Sequence, residues 1–449
     1  MGAVGVVDVV NLQDSRRISI LLGVLFGLTG MGSASAAIAV PLLAEDLETT
    51  VGLGTWTITL YALMLAVATP IYGRVADLVG VRLPLMVGVG LMTAGAVLSA
   101  AAPSFEALLV ARVIQGAGAA AIPTLGVTVL SARYDGPVRG LALGRLAGVA
   151  AALSCLGPLL GGLVEAQLGW RAVMALPIFG LLILPFVWRA LHGGGTRAKL
   201  DIVGAVLVAG TSAGLVLLIQ SPSTGWIVAL AGVLLLVLGV PAVTMQVRRR
   251  PQGFLPHEVI TNSVVIRSAI AAAAVPAAWF GILIAVPAVM IGHGWEAWEV
   301  GLLLAPSAVV GLVVPRIAGP FLNKYGAARA LAFAGVNAAV SMLVASIGAE
   351  NESAWALAVA VLFTTISFGV GQPALMASVG DAVHVDVRGV ALGVATLLFL
   401  VGGSVGSAVV GGLGDVYGMP RSLLVLAVLP VLGIVALVPM LRSAAPAVR

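Results

Sequence analysis

Charge is what this sequence has least of. Only 9% of its 449 residues are Asp, Glu, Lys or Arg, against about 25% in a soluble domain. A chain so poor in charge cannot cover a water-facing surface, which excludes a soluble globular protein. Carboxylates are missing where a proton carrier would need one. All 18 acidic residues lie in loops or near the ends of apolar runs, none near a middle. Cysteine is down to one, Cys155, inside an apolar run. An intramolecular disulfide and a cysteine zinc cluster are both excluded. His192, His257, His293 and His384 lie near loops with no metal-ligand spacing between them, so neither a metal nor another cofactor is expected. No phosphate-binding G-x-x-x-x-G-K-[ST] occurs, which argues against direct drive by ATP. Nucleophiles, carboxylates and histidines do not converge within the apolar runs, so an enzyme is not expected either.

Hydrophobic residues make up 60% of the chain, with a mean hydropathy of +1.14. Fourteen runs are long enough to cross a bilayer. They fall at about 18–44, 55–72, 83–102, 105–131, 140–164, 171–191, 202–221, 226–244, 264–291, 298–317, 327–348, 354–378, 389–412 and 421–441. In lipid only helices satisfy their own backbone, so the fold class is an all-α membrane protein. Ala34-Ser35-Ala36 imitates a signal-peptidase site, but the apolar run continues to Leu43 and the span is expected to be retained. Lys and Arg set the orientation. With both termini cytoplasmic, Arg16, Arg17, Arg74, Arg82, Arg133, Arg139, Arg248, Arg249, Arg250, Lys324 and Arg388 fall inside. External segments hold only Arg171 and Arg421, together with Glu45, Asp46, Glu48, Glu296, Glu299, Glu350 and Glu352. The net charge of +5 therefore reflects one-sided loops of a plasma-membrane protein and not a nucleic-acid partner. The Arg248–Arg250 run is a topology signal or a site for anionic lipid headgroups.

The chain repeats itself. Arg139-Gly140-Leu141-Ala142-Leu143-Gly144 opens span five, and Arg388-Gly389-Val390-Ala391-Leu392-Gly393 opens span thirteen. Gly161-Gly162 and Gly411-Gly412 follow each in turn. The charged island Gly73-Arg74-Val75-Ala76-Asp77-Leu78-Val79-Gly80-Val81-Arg82 has a weaker echo, Gly319-Pro320-Phe321-Leu322-Asn323-Lys324-Tyr325-Gly326. Spans one to six thus correspond to spans nine to fourteen, with seven and eight inserted. The expected division is 1–191 as one six-helix bundle, 192–262 as a linker with two extra helices, and 263–449 as the second bundle. Two such repeats enclosing a cavity are a transporter architecture.

Four motifs resemble one family. The island is similar to the loop signature of the major facilitator superfamily. The resemblance makes Gly73, Asp77, Gly80 and Arg82 a cytoplasmic latch. Leu108-x-x-x-Arg112-x-x-Gln115-Gly116-Ala117-Gly118 is similar to its fourth-span motif, whose arginine is implicated in proton coupling. Gly144, followed by Gly157-Pro158-Leu159-Leu160-Gly161-Gly162, resembles the gating fifth span of its antiporters, with Leu153 where a glycine is usual. Trp56-Thr57-Ile58-Thr59-Leu60-Tyr61 resembles the second span of the fourteen-span drug:proton antiporters of tetracycline and multidrug efflux. The resemblance implies the major facilitator fold and a monomeric secondary exporter that moves lipophilic small molecules by alternating access in exchange for protons. The alternative is a lipid or secondary-metabolite exporter or flippase of the same fold, not coupled to protons.

The residues themselves leave roles open. Arg112 is either a functional buried charge or a side chain snorkelling to the outer interface. Gln115, one turn on along the same face, binds substrate or bonds a neighbouring helix. The span-five glycines with Pro158 serve close packing, gating or both. Trp279, Phe280, Asn337, Phe368 and Gln372 are cavity candidates, although helix packing is the plainer role of each alone. Where the family's drug antiporters carry an acid and an amide in the first span, this sequence has Gly32 and Ala37. Coupling would then run through Asp77 and Arg112 with water, through a peripheral acid such as Glu106 or Glu165, or not at all. A buried arginine without an acid suits neutral or anionic cargo.

Overall fold

The computed structural model describes residues 2–134, 136–191, 201–251, 253–384 and 388–443, without the side chains of 2–12, 77, 136, 137, 389 and 443. The glycine-rich stretch 193–195 and His192 lie outside the described residues, as does the side chain of Asp77. The described chain is helical almost throughout. Its first half holds α1 (Gly2–Asp46), α2 (Val51–Gly54), α3 (Trp56–Val79), α4 (Arg82–Ala100), α5 (Phe105–Ala119), α6 (Ala121–Arg133), α7 (Gly136–Ala175) and α8 (Gly180–Val187). Next come α9 (Ile202–Thr224), α10 (Trp226–Arg249) and α11 (His257–Thr261). The second half holds α12 (Ser263–Gly292), α13 (Ala297–Leu304), α14 (Pro306–Tyr325), α15 (Ala327–Glu350), α16 (Ala354–Ala382), α17 (Arg388–Tyr417), α18 (Met419–Leu426) and α19 (Val428–Ser443).

Local chemistry sets where these helices start and stop. Ser104, Ser353 and Asn262 accept backbone N–H groups at the starts of α5, α16 and α12. Glu296 and Glu299 close a capping box on α13. At the other ends, Gly80 (φ 80°) stops α3 and Gly326 (φ 82°) stops α14. They occupy the same place in the charged island and its echo, and only glycine enters that left-handed region without strain. The repeat therefore preserves a backbone turn even where Asp77 has become Asn323.

Thirteen described stretches are long and apolar enough to cross a membrane. The fifth, Val138–Ala190, runs 53 residues, or about 80 Å as a continuous helix against a core of about 30 Å. It is not continuous: the backbone leaves the helix at Gly169 (φ 74°, ψ 172°). The fifth and sixth apolar runs of the sequence are the two sides of that break.

Packing distinguishes the two ends of the molecule. At the end carrying Glu45, Asp46, Glu296 and Glu299, called here the acidic end, residues of both halves share one core. Ile38, Leu43, Ile58 and Leu108 pack there with Ile282, Val286, Val300 and Leu426. At the opposite, basic end the two large cores are separate. One is built from Leu22, Leu85, Leu125 and Val187, all of the first half. The other is built from Val265, Leu331, Leu375 and Leu437, all of the second.

Helices α9 and α10 sit outside this arrangement. They hold each other through glycine contacts, Gly214 against Leu235 and Gly232 against Leu218. Helix α10 is almost wholly exposed, as a lipid-facing helix should be. Helix α9 lies over the meeting of α3 and α17, where Val216 joins Trp56, Leu63, Val67 and Ala408. Its start is fixed by Asp201, which is 8% exposed. Asp201 accepts from the N–H of Gly204 (3.1 Å) and Phe254 (3.1 Å) and from the Gln246 amide (2.8 Å). Burial alone would push this carboxyl up, but those three donors and the Arg250 charge outweigh it and hold it below the usual aspartate range. Unfolded, the group titrates near ~3.9. Its contribution is therefore complete above that pH and lost as pH falls through the lower folded value. The melting temperature of the detergent-solubilised protein should fall as pH drops below about 4. Asp201→Asn should melt lower at neutral pH and lose less over that acid interval.

Candidate functional site

Helix α5 places Leu108, Arg112 and Gln115 along one buried face, at the three- and four-residue spacing of a helix turn. Arg112 and Gln115 are both 0% exposed. Arg112 does not snorkel; it turns into the first bundle. Its Nε donates to the Thr57 carbonyl at 2.9 Å. Its Nη1 donates to Gln115 Oε1 at 2.6 Å and makes a long contact of 3.5 Å to the Gly32 carbonyl. The guanidinium lies 4.4 Å from the centre of the Tyr61 ring, and Tyr61 is itself fixed by donating to the Thr29 carbonyl at 2.8 Å. Every partner of the cation is thus a carbonyl dipole, an amide or an aromatic face. Gly32, where the resembling antiporters carry an acid, supplies only its backbone oxygen.

Close backbone approach makes this possible. A Cβ on Gly95 would lie 2.5 Å from the Gln115 backbone nitrogen, and one on Gly116 would run into the Tyr61 carbonyl. Two donors remain open. Arg112 Nη2 and Gln115 Nε2 are buried and have no partner among the described residues. An unpaired buried donor costs about 1–3 kcal/mol, so the pair favours an acceptor-bearing guest, whether water, a carbonyl or an anion, over a cation.

The other expected residues fall into three groups. In the island, a Cβ on Gly73 would lie 3.5 Å from the Thr124 methyl, Gly80 makes the turn, and Arg82 stacks on Trp188 at 4.6 Å. On α7, Gly157 and Gly161 let the helix close on Ala34 and Ser35 of α1, while Gly162 meets Ala297 and Trp298 of α13. The backbone at Pro158 and Leu159 lies against Gly301, and Cys155 against Gly311 of α14. That same face continues through Gly148 and Gly144 toward the basic end. There a Cβ built on either would meet nothing within 4 Å among the described residues, although Gly148 itself is buried. The α7–α14 seam is therefore closed at the acidic end and opens toward the basic end.

The cavity candidates belong to the second half. Trp279 lies 5.8 Å from Phe368 and Phe368 5.4 Å from Phe399. Phe280 packs on Gly403, and Gln372 is half-buried. Asn337 donates to the Phe363 carbonyl and Ser367 on α16, so it joins two helices and is not brought to Arg112. Sequence reasoning missed Tyr61 as the partner of Arg112, although Tyr61 closes the second-span motif. It also missed Gln220 and Asp415, which hold the α3–α17 seam. Gln220 is an amide within an apolar run, which was signal enough. Asp415 stands three residues after Gly412, as Glu165 does after Gly162.

Comparison with known proteins agrees with this geometry. The sequence matches the family model for the Major Facilitator Superfamily over residues 22–407. It is 32% identical to the cephamycin export protein CmcT of Amycolatopsis lactamdurans over 317 residues, 66% of this chain and 64% of that protein, so it spans just under two thirds of that relative. It is 26% identical to the tetracenomycin C resistance and export protein of Streptomyces glaucescens, over 89% of this chain and 76% of that one. The multidrug resistance protein Stp of Mycobacterium tuberculosis is 27% identical over 79% of this chain and 68% of its own. Among solved structures, a POT family transporter in complex with 5-aminolevulinic acid superposes with a TM-score of 0.68, at 12% identity over 95% of both chains, which speaks for the fold. This chain belongs to the major facilitator superfamily and is a multi-pass plasma-membrane transporter.

The close approach around Arg112 is directly testable. Gly116→Ala should lower stability by about 1–3 kcal/mol through overpacking against Tyr61, read as a clear fall in melting temperature. Gly90→Ala, with open space around it, should leave the melting temperature unchanged.

Proposed function

We propose that this transporter exports lipophilic small molecules, antibiotics or related metabolites, by alternating access and in exchange for protons. The observation that carries the reading is the uneven seam. The halves share a core at the acidic end, while Gly148 and Gly144 face open space toward the basic end. With the basic end cytoplasmic, this is the loading conformation of an exporter. The relatives named as export and resistance proteins support the direction of transport.

In this reading the chain crosses the membrane fourteen times, the break at Gly169 dividing Val138–Ala190 into two crossings, and both termini are cytoplasmic. Residues 1–191 and 263–449 form the two bundles, and 192–262 the linker with its extra helices. Gly73, Asp77, Gly80 and Arg82 latch the cytoplasmic side when it closes. Arg112, with Asp77 and water, carries proton coupling. Gln115, Trp279, Phe280, Asn337, Phe368 and Gln372 contribute the substrate cavity, and Gly144, Gly157, Pro158, Gly161 and Gly162 the gating helix. Neutral or anionic cargo fits best, since the open donors of Arg112 and Gln115 face no carboxylate among the described residues. The protein works as a monomer among membrane lipids. The open lower part of the α7–α14 seam also favours a second reading, a lipid exporter whose cargo enters sideways from the inner leaflet.

Transport into proteoliposomes under an imposed pH gradient tests the proposal, with a lipophilic carboxylate antibiotic against a lipophilic phosphonium cation. The gradient should drive the carboxylate at least about tenfold faster than no gradient, a difference of about 1.4 kcal/mol. Arg112→Met, which replaces a buried charge by a similar apolar volume, should melt within a few degrees of the native protein yet lose the driven component. Asp77→Asn should weaken it. Flux in the native protein that ignores the gradient would contradict proton exchange, and a preference for the cation would contradict the substrate class.

A further inference from the structure

Helix α9 belongs to neither bundle, yet it reaches into the seam between them. At the acidic end α17 presents Gly411 and Gly412. A Cβ on Gly411 would overlap the Thr55 hydroxyl, and one on Gly412 would lie 2.6 Å from the Ile219 carbonyl and 2.8 Å from Gln220 Cα. The two glycines thus let α17 approach the start of α3 on one side and the backbone of α9 on the other.

A polar clasp fills the resulting junction. Asp415 of α17 accepts the Gly52 N–H with both carboxylate oxygens at 3.0 Å. Thr59 of α3 donates to Ser407 of α17 at 2.8 Å. Gln220 of α9, 0% exposed, donates through Nε2 to Thr55 Oγ1 at 2.9 Å and makes a longer contact, 3.4 Å, to the Gly52 carbonyl. Thr55 Oγ1 donates in turn to that same carbonyl at 2.7 Å. Gly52 is therefore held from the second half through its N–H and from the insert through its carbonyl. The Gln220 Oε1 is buried without a partner among the described residues. An apolar side chain of the same length would avoid that penalty, so the amide is badly accounted for as packing alone.

We propose that Gln220 is a positioning residue of the outer gate, by which the inserted hairpin holds the protein in the conformation closed at the acidic end. The proposal rests on the alternating-access reading. Helix α9 meets α17 backbone to backbone at Gly412 and meets Thr55 through one hydrogen bond. Parting of α3 from α17 therefore breaks the Gln220–Thr55 bond together with the Gly52–Asp415 and Thr59–Ser407 bonds. Removing the amide shifts the population toward the open outer gate without touching the Arg112 region, and the substrate affinity measured from the basic end falls by the lost closed fraction.

The test uses the full-length protein with its single cysteine replaced, Cys155→Ala, and one reporter, Val40→Cys, in the core shared by both halves. A membrane-impermeant maleimide is applied to right-side-out and to inverted vesicles. Gln220→Met should raise labelling from the acidic-end side by about fivefold or more, the usual lower range of a coupling between sites, while labelling from the basic-end side should not rise. Ser223→Ala, whose hydroxyl bonds only its own helix, should change neither. If Gln220→Met does not reach the membrane, Thr55→Val removes the same bond from the other partner and should give the same rise. Unchanged labelling in the variants, or an equal rise from both sides, would overturn the proposal. Labelling requires neither substrate nor gradient, so a failure of the proton-exchange reading leaves it intact. The side from which the reporter is reached in the parent protein reports orientation separately.

Discussion

Two bundles of membrane helices can meet tightly at one end only if side chains step aside there. Glycine does this at the acidic end of this protein. Gly162 admits Ala297 and Trp298, Gly301 admits Pro158 and Leu159, and Gly411 admits Thr55. These contacts let residues 250 positions apart and more share one apolar core. They also relate the two seams by the internal repeat, since Gly162 and Gly412 stand at matching places in α7 and α17. Toward the basic end α17 still meets α3, a Cβ on Gly393 lying 3.9 Å from Pro70, so the contrast between the ends lies along α7. Along α7 the face that carries Cys155 and Gly162 ends in Gly148 and Gly144, where a Cβ would meet nothing within 4 Å among the described residues. A transporter held closed at its acidic end and packed more loosely along α7 toward its basic end follows from where the close contacts stop.

The buried charge fits within that frame. Arg112 lies in the first bundle among carbonyls, an amide and a tyrosine ring, with no carboxylate in contact among the described residues. An acid beside it would have neutralised the site and left it indifferent to anions. Its absence leaves two buried donors open, so the local chemistry asks for an acceptor. In the proposed cycle water meets that demand at rest and cargo meets it during transport.

Much of this was legible in the sequence. Hydropathy marked the spans because lipid forces each to satisfy its own backbone. Spacing placed Arg112 and Gln115 on one face, and the repeat paired Gly80 with Gly326 before their shared left-handed turn was seen. What stayed hidden depends on contacts between distant segments. Nothing near Arg112 in sequence says that it turns inward to Thr57 rather than outward to water. Gln220 and Thr55 are separated by 165 positions, so the clasp of the inserted hairpin has no local signature. For Asn337 the distant contact is to α16, where its amide donates to the Phe363 carbonyl and to Ser367. The break at Gly169 is a glycine among many in the sequence and becomes distinctive only through its backbone angle.

In the proposed cycle the two ends open in alternation. Spin-label pairs in the Cys155→Ala protein measure it directly, one across the basic end at Gly144 and Gly319, the other across the acidic end at Leu168 and Trp298. Under one condition the basic pair should be long and the acidic pair short. Changing pH or adding cargo should shift population to the reverse arrangement, with the two distances moving in opposite senses. Pairs that hold one distance under every condition, or that lengthen and shorten together, would contradict the account.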